Sequence, residues 1–401
     1  MSTEYFLSAT EQKNNIIRLS AAQALAGANS VVFYATGAVV GNAIAPVSSL
    51  ATLPITMFVF GMAACILPLG RLAQKKGRKT AFMVGTGAGV ITGLTAALAV
   101  VIGSFMLFCI AAFIGGAYAA VALSFRFAAT DGVTPEHRAR ALSLVMGGGV
   151  MAGVIGPMMV SGTMHLWPPH TFAVTFLAQA FMAIISAFIL KGVKTTKPAS
   201  AIKTGGRPLR DIVSQPGFVR TVFSGAVIYM VMNFLMTAGP LSMHMHGISQ
   251  QMSNLGIQWH VIAMYAPGFF TGKLINRFGA MRIAAAGLCV TACSVLAGLG
   301  GTDIFHYWLS LILLGLGWNF GFTGVSAKII EYHHPKEKNQ VQSLNDFVVF
   351  GVMIVGSFSS GALLTLYGWS AVLWGSLVPV ALAFLGIIEE LQVKKKDDSS
   401  C

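Results

Sequence analysis

Residues 49–101 read SLATLPITMFVFGMAACILPLG (49–70), RLAQKKGRK (71–79) and TAFMVGTGAGVITGLTAALAVV (80–101). Two apolar runs flank a short loop that carries Arg71, Lys75, Lys76, Arg78 and Lys79. At 1.5 Å rise per residue, a run of about 20 residues spans the hydrocarbon core of a bilayer. Neither run alternates apolar and polar residues as barrel strands do. In lipid the backbone must satisfy its own hydrogen bonds, so these runs read as membrane-spanning helices.

The same pattern recurs along the chain. Apolar segments fall near 16–41, 49–70, 80–101, 104–128, 141–164, 171–191, 218–240, 252–271, 282–300, 305–329, 341–366 and 369–389. The sequence is 55% hydrophobic and 10% charged, against roughly 25% charged residues in soluble domains. The expected fold is an all-α polytopic membrane protein with twelve transmembrane helices in two six-helix, pseudo-symmetric halves.

Net charge is +13, which raises a nucleic-acid partner until the positions are inspected. Every Lys and Arg falls in a terminal tail, in an even-to-odd connection, or at the span ends beside them. Such bias puts basic loops in the cytoplasm. Both termini are then cytoplasmic, the chain is multi-pass in the cytoplasmic (inner) membrane, its environment is the lipid bilayer, and no nucleic acid is expected. The polar first fifteen residues lead into an apolar run without a small-residue cleavage site, so the first span is expected to remain.

Cys65, Cys109, Cys289, Cys293 and Cys401 are odd in number and mostly within apolar runs, which favours inert packing over a disulfide framework. Cys289 and Cys293 share a helical face, but a lone pair is a poor metal site. No Walker loop, metal-ligand spacing or nucleophile–base signature is present. No enzyme activity, cofactor or metal is expected.

Gly192–Gly217 is the one long polar stretch, with Pro198, Gly205, Gly206 and Pro208. It reads as a cytoplasmic linker between an N-terminal six-helix bundle (1–191) and a C-terminal one with a short cytoplasmic tail (218–401). Its basic residues read as solvated and orienting. The halves repeat. Asp131 and Glu331, Pro135 and Pro335, Arg138 and Lys338, and Ser143-Leu144 and Ser343-Leu344 are 200 apart. Gly70-Arg71-Leu72 returns as Gly272-Lys273-Leu274, and Gly77 as Gly279, at an offset of 202. Two halves repeated about the membrane normal are common among transporters.

The loop at 70–79 resembles the signature between spans 2 and 3 of the major facilitator superfamily, and 272–279 resembles its degenerate second copy. The resemblance implies a transporter in which two helical halves rock about a site near the midplane. It also implies coupling and gating roles for Gly70, Gln74, Gly77, Arg78, Asp131, Asn276 and Glu331. The family's acidic loop residue is replaced here by the neutral amides Gln74 and Asn276, which removes a charge from the helix-dipole contact. Arg78 is expected to pair with Asp131, and Glu331 holds the equivalent place in the second half. Gly153-Val-Ile-Gly156-Pro157 resembles part of the drug-antiporter motif. Val160 and Ser161 replace its later glycines, and Ala112 stands where those antiporters carry an intramembrane arginine. Packing is the alternative for Gly147, Gly148, Gly149, Gly153 and Gly156.

In the family, spans 1, 4, 7 and 10 line the cavity. Gln23, Gly27, Ser30 and Tyr34 fall on one face of span 1. Tyr118 in span 4, Tyr229, Asn233 and Met236 in span 7, and Trp318, Asn319, Thr323 and Ser326 in span 10 complete the candidate lining. From these, Gln23, Ser30, Tyr34, Tyr118, Tyr229, Asn233, Trp318, Asn319 and Thr323 are the substrate-binding candidates, with helix packing as the alternative for each. Asp346 is the one acid clearly inside a span, a proton or pairing site or else a hydrogen-bond hub with Asn345. Arg126, at the inner end of span 4, either meets an anionic group or snorkels to the interface.

Amides and flat rings suit a neutral or weakly charged, ring-containing small molecule. The specific expectation is uptake of riboflavin or a similar vitamin by a monomer. Proton-coupled drug or metabolite efflux is the alternative within the class. A non-transporting membrane receptor on the same fold is the alternative outside it.

Overall fold

The computed structural model describes residues 7–131, 133, 135–195, 206–334 and 337–399. Pro198, Gly205, Pro335 and Cys401, and the side chains of Pro135, Arg138 and Lys338, lie outside the described residues. In chain order the helices are α1 (Ala9–Ile44), α2 (Leu53–Lys76), α3 (Arg78–Ile102), α4 (Phe105–Ala122), α5 (Phe125–Ala128), α6 (Pro135–Thr163) and α7 (Ala173–Lys191). They continue as α8 (Leu209–Val213), α9 (Phe218–Met245), α10 (Gln250–Tyr265), α11 (Gly268–Phe278), α12 (Ala280–Leu299), α13 (Ile304–Glu331) and α14 (Lys338–Ser399).

Among the described residues, ten helical stretches are long and apolar enough to cross a membrane. One is the 53-residue stretch Gln340–Gln392, which Gly368 (φ 80°) divides into two helices. The expected eighth span, 252–271, comes instead as α10 and α11. Pro267 lacks an N–H and disfavours helical backbone at Ala266, so the helix breaks there. Counting that pair as one broken crossing and α14 as two gives the expected twelve.

Packing divides the chain into two compact units, Met1–Ala201 with Ser249–Tyr265, and Ile202–Ile248 with Ala266–Cys401. In the first unit, glycines let helices meet backbone to backbone. A Cβ at Gly116 of α4 would overlap the Met62 nitrogen of α2. Gly148 and Gly156 set α6 against α1, while Gly149 and Gly153 set it against Tyr265 and Val261 of α10. Gly148, Gly149, Gly153 and Gly156 thus each permit a close helix contact. Phe33, Phe58, Phe108 and Phe176 cluster within this unit, with ring centroids 5.4–6.1 Å apart. In the second unit Gly287 of α12 approaches Gly321 of α13, a Cβ there falling 2.2 Å from the Gly321 nitrogen. Large apolar side chains such as Ile91, Leu94, Phe181, Val355 and Leu385 stay exposed, as side chains solvated by lipid do.

The sequence repeat is visible in the backbone. Gly77 (φ 87°, ψ 155°) ends α2 and Gly279 (φ 90°, ψ 148°) ends α11, each turning the chain directly into the next helix. That positive φ explains a glycine at both places.

Two basic residues of the linker, Lys194 and Arg207, form ion pairs while remaining partly exposed. In the first unit Asn15 brackets Lys194, donating to its carbonyl at 2.7 Å and accepting its N–H at 2.9 Å. The Lys194 ammonium meets Glu11 at 2.8 Å. In the second unit Arg207 grips Glu337 with Nε (3.0 Å), Nη2 (2.9 Å) and its backbone N–H (2.8 Å). Its Nη2 also donates to the Tyr332 carbonyl, as does Gln215. The Arg207 hydrogen bonds, with the His334 N–H, hold the Glu337 carboxyl well below the usual carboxylate range.

Candidate functional site

In the first unit α1 presents the expected face. Between residues 26 and 41, Gly27, Ser30 and Tyr34 are half-buried and every other position is buried. Gln23 is half-buried one turn earlier. Ser30 spends its hydroxyl on the Ala26 carbonyl (3.4 Å), and the Tyr34 ring meets Phe58 edge-on at 6.0 Å. Tyr118 does not share this face. It is 2% exposed and sits in the apolar core with Phe82, Val121 and Phe125, its ring filling the space left by Gly89.

Arg126 lies in α5 with its guanidinium 4.7 Å over the Phe127 ring. Among the described residues its buried Nε has no acceptor.

In the second unit the span-7 and span-10 candidates separate into two groups. Tyr229 and Trp318 meet edge-to-face at 5.4 Å. Phe322, one turn beyond Trp318, stacks on it at 5.3 Å and takes the Tyr229 edge at 5.0 Å. Phe350 closes the group at 6.2 Å from Tyr229. Trp318 is 8% exposed, whereas Tyr229, Phe322 and Thr323 are half-buried. The four rings thus form one aromatic cluster, in which Tyr229 and Phe322 are half-buried and Trp318 is more enclosed. Phe322 and Phe350 were not among the sequence candidates. The i, i+4 spacing of Trp318 and Phe322 is the signal for the first of them.

Asn233 and Asn319 turn elsewhere. Asn233 is fully buried and donates to the Met353 carbonyl at 3.4 Å, tying α9 to α14. Asn319 accepts the Thr271 hydroxyl at 2.6 Å and ties α13 to α11. These contacts give each amide an interhelical hydrogen-bond partner, and a buried amide without partners is costly.

At the candidate gates, Arg78 and Asp131 form the expected pair, at 2.5 Å (Nε–Oδ2) and 3.2 Å (Nη2–Oδ1). This two-point geometry fixes orientation as well as charge. Among the described residues Glu331 has no such cross-loop partner. It pairs with Lys328 one turn earlier at 2.9 Å, because Ala280 stands at the position matching Arg78. Gln74 and Asn276 are exposed and make no hydrogen bond among the described residues. Among the described residues no atom lies within 4 Å of a would-be Cβ at Gly70 or Gly272. Asp346 is half-buried and accepts from Asn345 at 3.3 Å, as the hub reading expects.

Known proteins give the context for this arrangement. A family model described as the Major Facilitator Superfamily matches residues 19–356 and 221–399. A riboflavin transporter of Brucella anthropi is 41% identical over 389 residues, covering 96% of this chain and 98% of that protein. A multidrug resistance protein of Klebsiella pneumoniae is 23% identical, covering 65% of each chain. Among solved structures, a bacterial homologue of the human lysosomal transporter Spinster aligns with a TM-score of 0.69 at 15% identity, covering 96% of this chain and 99% of that one. These relatives and this fold are those of transporters and not of enzymes. The chain belongs to the Major Facilitator Superfamily, as a multi-pass membrane transporter.

Proposed function

We propose that this transporter takes up riboflavin, or a vitamin of the same flat, amide-bearing and uncharged kind, across the cytoplasmic membrane by alternating access. The observation that carries the reading is the 41% identity, over 96% of the chain, to the Brucella anthropi riboflavin transporter. The aromatic group of Tyr229, Trp318 and Phe322 supports it, because a flat heterocycle gains dispersion and quadrupole complementarity on such a surface. Gln23, Ser30 and Tyr34 offer amide and hydroxyl groups for a polar ligand edge.

In this reading the chain works as a monomer with both termini in the cytoplasm. Two bundles, 1–191 and 218–401, are joined by the 192–217 linker. The Arg78–Asp131 pair holds one gating state, and Asp346 is the candidate proton carrier.

The test is uptake of labelled riboflavin by vitamin-requiring cells that express the protein. Uptake above the empty-vector level is expected, and loss of it with a protonophore assigns coupling to the proton gradient. Absence of uptake with the protein present in the membrane overturns the vitamin reading. Drug efflux is the second reading, favoured by the likeness to the Klebsiella pneumoniae multidrug resistance protein and by Gly156-Pro157. It predicts raised drug tolerance in efflux-deficient cells.

A further inference from the structure

In the first unit α3 and α7 run antiparallel, since Gly89 abuts Ala183 and Gly93 abuts Ala180. Residue numbers rise along one helix as they fall along the other, which brings Lys79 and Lys191 to the same end. Between the helices lies a groove of about 230 Å³, lined by Met83, Gly87, Val90, Ile184 and Phe188, with Lys191 at its end. Its apolar walls leave open space at Gly87, where a Cβ meets nothing within 4 Å. Lys79 stands four residues before Met83 and eight before Gly87, on the same helical face. The Lys191 ammonium lies 5.0 Å from the centre of the Phe188 ring, itself 66% exposed. Neither lysine has an acidic partner among the described residues.

Two ammonium groups without acids, at the end of a hydrocarbon-lined slot, complement an anion that carries an acyl chain. We infer that this groove holds an anionic phospholipid, with one chain along Met83–Val90 and its phosphate between Lys79 and Lys191. With the orientation proposed above, the lipid belongs to the inner leaflet, where basic side chains attract anionic headgroups. A contrasting groove of about 220 Å³ in the second unit, lined by residues including Met230, Phe234, Gly356, Ser359 and Pro379, has no charged side chain in its wall. It supplies hydrocarbon contact without a headgroup preference.

The full chain, reconstituted in nanodiscs of phosphatidylcholine with a minor fraction of phosphatidylglycerol, tests the assignment by native mass spectrometry of the retained lipids. Wild type should retain phosphatidylglycerol in preference to phosphatidylcholine. Each lysine near the headgroups contributes about fivefold, so Lys79→Gln with Lys191→Gln should lower that preference by roughly 25-fold. Gly87→Leu fills the slot and should reduce retention of both lipids. Lys75→Gln with Lys76→Gln, on α2 and outside the groove, should lower the preference less. Equal retention of the two lipids by wild type, an undiminished preference in the Lys79/Lys191 variant, or an equal loss in the Lys75/Lys76 variant would overturn the inference.

Discussion

Replacing Phe322 by leucine tests the aromatic surface most directly, because the geometry predicts a ranking as well as a loss. Phe322 is half-buried, whereas Trp318, stacked on it at 5.3 Å, is 8% exposed. Stacking of a flat heterocycle on one aromatic side chain is worth about 1–3 kcal/mol. Phe322→Leu should therefore weaken flavin binding by roughly 5- to 150-fold. Trp318→Leu removes a ring–ring contact worth about 0.5–1.5 kcal/mol. It should act through the Phe322 and Tyr229 rings and weaken binding by roughly 2- to 12-fold. Phe347→Leu, at a ring 76% exposed on α14, is the control and should leave binding unchanged. Quenching of riboflavin fluorescence by purified protein gives the affinities, and thermal unfolding shows that each variant is folded. An unchanged affinity in folded Phe322→Leu refutes the stacking surface. A larger loss in Trp318→Leu than in Phe322→Leu refutes the ranking drawn from exposure.

Three further outcomes follow from other contacts. Arg78→Gln should cost at most about 1 kcal/mol of stability, because both side chains of its ion pair are about 30% exposed. Transport should nevertheless fall, and Arg78→Asp with Asp131→Arg should recover part of it; transport by Arg78→Gln at the wild-type level would remove the pair from the gate. The Glu337 carboxyl is depressed in the folded state, so its stabilising effect is present above the ordinary value of 4.5 and is lost as pH falls through the lower folded value. Hydrogen exchange at residues 207–215 should thus stay slow from pH 7 to about 5 in wild type and be fast at pH 7 in Glu337→Gln; equal protection in the two would show that the ion pair does not hold this segment. Finally, Gly116→Ala forces α2 and α4 apart and should destabilise by about 1–3 kcal/mol. Gly87→Ala meets open space and should stabilise slightly or not at all, as read by labelling of the buried Cys109 thiol on heating, with the other cysteines replaced.

The spans were legible because lipid imposes a simple rule, about twenty apolar residues between charged loops, and the chain obeys it from 16 to 389. The Arg78–Asp131 pair was legible because its loop signature is local. What escaped depends on direction around a helix. Asn233 and Asn319 look like ligand groups in a linear reading, yet each turns toward a neighbouring helix that sequence alone does not place. Tyr118 lies on the core side of α4 for the same reason. The Arg207–Glu337 contact joins positions 130 residues apart, and nothing local in the linker signals it. The repeat misled at Glu331, because the second copy kept the acid and lost the base at Ala280.

The break at Ala266-Pro267 bears on how the gene can be rearranged. A cut in the 192–217 linker looks like the natural place to exchange halves between homologues or to express them as separate polypeptides. Yet 249–265, encoded well beyond that cut, pack as part of the first compact unit. A chimera joined at the linker therefore imports a foreign α10 against a native α6, whose Gly149 and Gly153 are shaped to Tyr265 and Val261. Because 249–265 pack within the first unit, such a chimera keeps the native fit at this contact only when α6 and α10 come from the same parent.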